Sequence, residues 1–445
     1  MSAPGGSART QDREILRLAV PAFLALVAEP LFLLADAAIV GHLGTPELAG
    51  LGIAGAVVQT AVGLCVFLAY GTTASVARRI GAGDVRGALA QGIDGVWLAV
   101  IIGAVTTGVG VLLTEPLVGL FGADQAVAEQ ATVYLRWAFL GVTPLLVVLA
   151  GTGILRGLQD TRTPLYVAVG GNLLNIALNY GLVYPLGLGI AGSAIGTDLA
   201  QLGSAAALTA VVVSAARRHG APLRPDLPGV RRAGRAGLAL VVRTLTLRAS
   251  LLVMTYGAAL LGATAVATHQ LASTIWTFLA FALDAIAIAA QAITGRYLGA
   301  GDTDLTRSVT GRMVRWGLVS GVVTGAGLAA LSPFLGTLFT DDRAVRDMLV
   351  PVLLVAAAFQ PVAGVVFVLD GVLIGAGDGR YLAWGGVVVL AVFAPLALLA
   401  AHATVDPATG LLLLWVVFGA AFMCSRAAVL LHRARGDAWM VTGAP

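Results

Sequence analysis

Runs of about twenty or more apolar residues, separated by short polar punctuation, recur along the chain. They occupy approximately 15–40, 48–76, 89–113, 130–155, 164–184, 188–215, 241–261, 265–293, 307–331, 346–372, 382–402 and 408–432. At 1.5 Å of rise per residue, about twenty residues cross the hydrocarbon of a bilayer. The pattern therefore predicts twelve membrane-spanning helices and no strands.

The pattern also repeats. IGAGD at 80–84 matches LGAGD at 298–302, LVGLFGADQAV at 117–127 matches LGTLFTDDRAV at 335–345, and RGLQDTR at 156–162 matches IGAGDGR at 374–380. All three pairs share an offset of 218 residues, which predicts two homologous six-helix bundles. Six is even, so both bundles enter the membrane in the same direction. The expected fold is an all-α polytopic membrane protein, with parallel repeats related by a pseudo-twofold axis along the membrane normal. The expected organisation is an N-terminal lobe at 1–216, a cytoplasmic linker at 217–240 and a C-terminal lobe at 241–445. The linker is the longest polar segment and reads as a solvated connector between bundles that rock.

Composition agrees. Of 445 residues 58% are hydrophobic and 11% charged, which excludes a soluble enzyme and a disordered chain. All 27 basic residues are arginine. With the N-terminus inside, 24 of the 27 fall on the inner side, and only Arg136, Arg343 and Arg346 fall outside. That is the positive-inside asymmetry, so the net charge of +4 reports topology and not nucleic-acid binding. The expected location is the inner membrane, with both termini cytoplasmic. The start of the chain reads as an uncleaved first helix, since Glu29 and Asp36 interrupt it and no small-residue cleavage pattern follows. Cys65 and Cys424 make neither a disulfide framework nor a zinc site. No metalloprotease, serine-hydrolase or nucleotide-binding signature is present, so neither enzyme activity nor a cofactor is expected. The two GAGD segments read as turns or helix caps.

Ionisable groups inside hydrocarbon cost roughly 2.5–3.5 kcal/mol each on insertion scales, so they are where function is sought. Glu29 and Asp36 lie two turns apart on nearly one face of the first helix. Pro21 and Pro30 lack an N–H and are the expected hinge of that helix. A carboxylate in a dry cavity is easier to protonate than one in water. Asn172, Asn175 and Asn179 share a stripe on the fifth span, where amides can hold a neighbouring carboxylate, bind a cation or join helices. Asp198, Asp284, Asp370 and Gln291 are candidates for a substrate cavity; His269 reads as a packed polar residue.

These segments resemble a known family. LAVPAFLALVAEPLFLLADAAIVGHLGTPELAG, GILRGLQDTRTP, GNLLNIALNY, ALDAIAIAAQA and LDGVLIGAGD are similar to segments of the MATE (multidrug and toxic compound extrusion) transporters, and more closely to the DinF branch. The resemblance spans nearly the whole chain. It implies an antiporter of organic, often cationic and amphipathic molecules, driven by inward proton or sodium flow. Pro21 and Asp36 match that family's helix-1 proline and aspartate, and Asn175 matches a polar member of the same cavity. Asn179 stands where some relatives carry Asp, and Ala363 stands where another branch places an acid. The expected activity is proton-coupled export by a monomer working through alternating access, with ion coupling at Asp36, Glu29, Asn175 and Asn179. Sodium bound by Asp36, Asn175 and Asn179 and a lipid-linked flippase are the alternatives.

Overall fold

The computed structural model describes residues 8–403 and 406–443. Among them all regular structure is helical. Ten helices come first in the chain: α1 (Ala8–Gly41), α2 (Thr45–Leu64), α3 (Phe67–Gly81), α4 (Val85–Leu112), α5 (Thr114–Gly119), α6 (Gln125–Ala138), α7 (Val142–Gly157), α8 (Arg162–Val183), α9 (Gly189–Arg218) and α10 (Leu227–Leu260). They are followed by α11 (Ala263–Gly299), α12 (Thr303–Phe339), α13 (Arg343–Gly375), α14 (Gly379–His402), α15 (Pro407–Val417), a π-helical turn (Phe418–Met423) and α16 (Cys424–Arg435). Eleven helical stretches are long and apolar enough to cross a membrane. The twelfth span is the pair α6 and α7, bent by 51° at the break between them.

The helices gather into two lobes. The N lobe is Leu24–Gly237 with the tail from Gly443; the C lobe is Leu238–Thr442 with the chain up to Phe23. Two long helices therefore change lobe part-way, α1 after Phe23 and α10 after Gly237. α1 runs without a break through Pro21 and Pro30. Within the stretch expected to be a linker, residues from Leu227 onward are already the first turns of α10.

The repeat reappears as helix caps. Asp84 accepts from Gly87 N at 2.7 Å to start α4, and Asp302 accepts from Leu305 N at 2.8 Å to start α12. Gly83 and Gly301 precede them at φ 79° and 77°, a conformation glycine adopts without a Cβ penalty. Asp124 and Asp342 likewise cap α6 and α13, accepting from Val127 N at 2.9 Å and Ala344 N at 2.8 Å. Both GAGD segments are thus turn-and-cap devices satisfying orphan helix N–H groups.

Inside the C lobe, α12 meets α13 through glycine. A Cβ on Gly364 would lie 2.0 Å from the Gly317 carbonyl oxygen, and one on Gly321 would lie 2.4 Å from that of Gln360. Apolar side chains gain no water-driven association within lipid, so close backbone approach at small residues supplies the packing. Away from this seam the lobe is filled by Trp276, Phe393, Trp415, Phe418 and Phe422, whose ring centroids lie 5.2–6.4 Å apart in successive pairs. In the N lobe Val76, Ile93, Ile154, Leu208 and Val212 form a smaller aliphatic core.

Candidate functional site

The C-terminal half of α1 lies in the N lobe, held along α8 and the residue after it at three points. Asn172 Nδ2 donates to Ala28 O at 3.1 Å, Asn179 Nδ2 to Asp36 Oδ1 at 2.7 Å, and the Tyr184 hydroxyl to Ile39 O at 2.7 Å. The predicted asparagine stripe is thus the surface on which α1 rests. Asp36 is only 4% exposed. Its Oδ1 also accepts from Ser193 Oγ at 2.6 Å. Asn175 completes the cluster: its Oδ1 accepts from Asn179 Nδ2 at 3.1 Å, and its Nδ2 donates to Thr197 Oγ1 at 2.9 Å.

Ser193 and Thr197 are one turn apart on α9, so both hydroxyls face α8. Between them Gly196 lets the helices close: a Cβ there would lie 2.1 Å from Asn179 Oδ1. That Oδ1 is buried and has no hydrogen-bond partner among the described residues. No ion pair among the described residues includes Asp36. The cluster is one carboxylate among amides and hydroxyls, with no fixed cation. Such a group can exchange a proton or hold a cation, and it has no nucleophile–base pair for covalent chemistry.

The MatE family pattern matches residues 21–181 and again 239–399, two stretches separated by the offset of 218 found in the repeat. The chain belongs to the MATE family. Members are transporters, so this is a membrane transporter and not an enzyme. It is similar to Protein DETOXIFICATION 44, chloroplastic, of Arabidopsis thaliana, with 32% identity over 401 residues, 84% of this chain and 74% of that protein. It is similar also to DNA damage-inducible protein F of Escherichia coli K12, at 29% identity over 82% of this chain and 81% of that protein, in keeping with the DinF branch. Its fold matches the outward-facing conformation of a multidrug resistance MATE family transporter of the MOP superfamily, with TM-score 0.87, 23% identity and 98% of both chains covered.

Among the described residues, no hydrogen bond links Glu29 or Asp198 to Asp36. Glu29 is exposed on α1 and makes no hydrogen bond or ion pair among the described residues. Asp198 is half-buried on α9 and packs on Gly141, the residue before α7, where a Cβ would lie 2.0 Å from Asp198 Oδ1.

Asp284, Asp370 and Gln291 belong to the C lobe. Asp370 is paired with Arg243 and with Arg426, the latter at 3.6 Å, and Asp284 acts electrostatically on Arg426. Asp370 is thus the counter-ion of two arginines, and with them it lines a small cavity bounded by Leu247, Leu382 and Val429. Gln291 is buried where α11 meets α13, its backbone against Gly375. His269 is packed as expected, with Nε2 3.4 Å from Thr255 Oγ1 and from Ser273 Oγ and its ring 5.8 Å from Trp415.

Sequence reasoning missed Ser193 and Thr197. GSAIGT at 192–197, small and polar residues at one-turn spacing, is the signal that marks them. It also passed over Asp94, a buried acid within the third expected span.

Proposed function

We propose that this MATE-family chain exports organic, cationic or amphipathic compounds in exchange for inward-moving protons, by alternating access, with Asp36 as the coupling group. The observation that carries the reading is a buried carboxylate with two hydrogen-bond donors and no ion pair among the described residues. A lone charge out of water is costly unless something neutralises it. A cationic cargo and a proton both do so, and they compete for one group.

The cluster accommodates both states of Asp36. Ionised, the carboxylate accepts from Asn179 and Ser193. Protonated, it becomes a donor, and the unpartnered Asn179 Oδ1 becomes its acceptor once that amide turns over. α1 carries the consequence. Its first half is tied into the C lobe, where Asp12 accepts from Arg312 Nε and from Trp316 Nε1, both at 2.7 Å, and Glu14 accepts from the Tyr297 hydroxyl at 2.8 Å. Its second half rests on α8 in the N lobe. The change of lobe after Phe23 falls between Pro21 and Pro30, where missing N–H groups weaken the helical ladder, and these two are the hinge in this reading. Proton and cargo must favour opposite conformations for exchange to occur.

Relatives named as probable multidrug resistance proteins support this class of cargo. The arginine asymmetry supports a cytoplasmic-membrane location with both termini inside, and we read the transporter as a monomer. A sodium ion is the second reading, because Asn175, Asn179 and Thr197 offer neutral oxygens beside the carboxylate. The test is efflux of fluorescent organic cations from proteoliposomes under proton and sodium gradients imposed separately. Proton-driven efflux that Asp36→Asn abolishes in a folded protein is the expected result. Full efflux by that variant removes Asp36 from the mechanism, and efflux under the sodium gradient alone replaces the proton.

A further inference from the structure

The segment between α9 and α10 is pinned to the N lobe, and it displays arginine. Trp97 Nε1 donates to Leu223 O at 3.1 Å, and Leu223 packs on the aliphatic core of the lobe. Asp226 caps α10 by accepting from Gly229 N at 3.1 Å, while its own N–H donates to the buried Asp94 carboxylate at 2.9 Å. Gly229 seats the first turn directly on Asp94, since a Cβ there would lie 2.1 Å from Asp94 Oδ2. Gly237 does the same against Phe67, at 2.3 Å. Asp94, which the transport reading does not use, thus fixes the segment in place.

Arg217, Arg218, Arg224, Arg231, Arg232 and Arg235 are exposed on this rigid segment. Arg232 has a distant partner in Asp226 at 3.8 Å, while Arg224, Arg231 and Arg235 make no ion pair among the described residues. The segment joins two spans, so it lies at a membrane face. α10 has 34 residues and is about 51 Å long, well beyond a hydrocarbon core of about 30 Å, so its arginine-bearing start stands among lipid headgroups.

The geometry points to a binding surface for the headgroup of an anionic phospholipid on Arg224, Arg231 and Arg235. Guanidiniums without an ion pair, on a pinned segment at the membrane face, match a lipid phosphate. A segment already rigid loses little further freedom on binding. The surface is independent of the transported ion, so it stands whether or not Asp36 couples to protons.

The test is native mass spectrometry of the purified full chain titrated with phosphatidylglycerol or phosphatidylcholine. Wild type should retain phosphatidylglycerol preferentially. The triple variant Arg224→Gln, Arg231→Gln, Arg235→Gln should lose that preference by about tenfold or more, as expected for removing three charges near an anionic headgroup. Arg343→Gln should change nothing. For wild type alone, binding should weaken steeply with salt. Equal retention of the two lipids by wild type, undiminished phosphatidylglycerol on the triple variant, salt-insensitive binding, or full displacement by millimolar inorganic phosphate would each overturn the assignment.

Discussion

Replacing Asp370 by Asn tests whether the C-lobe acids hold the lobe together or touch cargo. Asp370 is 6% exposed, and its Oδ2 faces both Arg243 and Arg426. The substitution keeps the volume but removes the one charge that both guanidiniums share. Breaking a buried pair by removing one partner costs about 3–5 kcal/mol, because the remaining charge stays out of water. Asp284 still acts on Arg426, which places the expected cost at the lower end. For a domain of this size class such a loss lowers the melting temperature by roughly 6–20 °C. The assay is thermal unfolding in nanodiscs beside efflux per folded molecule in proteoliposomes. The melt should fall while efflux per folded molecule stays within about twofold. Adding Arg426→Met to Asp370→Asn removes one surplus cation and should restore part of the melting temperature. An unchanged melt with lost efflux would refute the reasoning and return Asp370 to the transport path.

Two further outcomes follow from the packing. Gly364→Ala places a methyl group 2.0 Å from the Gly317 carbonyl, so α12 and α13 must separate; a loss of about 1–3 kcal/mol is expected, read as a lower melt, and an unchanged melt would show that the seam is loose. Asp84→Ala and Asp302→Ala occupy equivalent caps and should each cost about 1 kcal/mol, read by the same melts; a several-fold difference between them would mean the repeat is not energetic. The Gly87 N–H, with Arg79 nearby, holds the Asp84 carboxyl below the usual carboxylate range. Its folded pKa is depressed, so the cap's contribution is present at neutral pH and fades as pH falls through that value. The gap in melting temperature between wild type and Asp84→Ala should therefore narrow in acid.

The spans were legible in the sequence because bilayer thickness fixes helix length. The repeat was legible because caps need particular residues: GAGD recurs where φ turns positive and a carboxylate must take an N–H. The break between α6 and α7 was passed over although Gly141 and Pro144 mark it, since Pro144 lacks the N–H that the Leu140 carbonyl would take in a continuous helix. Asp36, Asn175 and Asn179 stood out as polar residues in apolar runs. Ser193 and Thr197 did not, because hydroxyls are common in membrane helices and their convergence on the Asp36, Asn175 and Asn179 cluster is a tertiary fact. The pairing of Asp370 was hidden for a related reason. Arg243 and Arg426 had been counted as topology signals at the membrane face, whereas both turn inward to neutralise it.

The most direct measurement counts protons. When a cationic cargo binds the purified transporter, calorimetry in buffers of different ionisation enthalpy reports how many protons leave the protein. The account predicts that binding releases protons in wild type, approaching about one per cargo as the pH is lowered toward full protonation of Asp36, and none in Asp36→Asn. Cargo binding that releases no proton at any pH, or releases the same number from the variant, would contradict it.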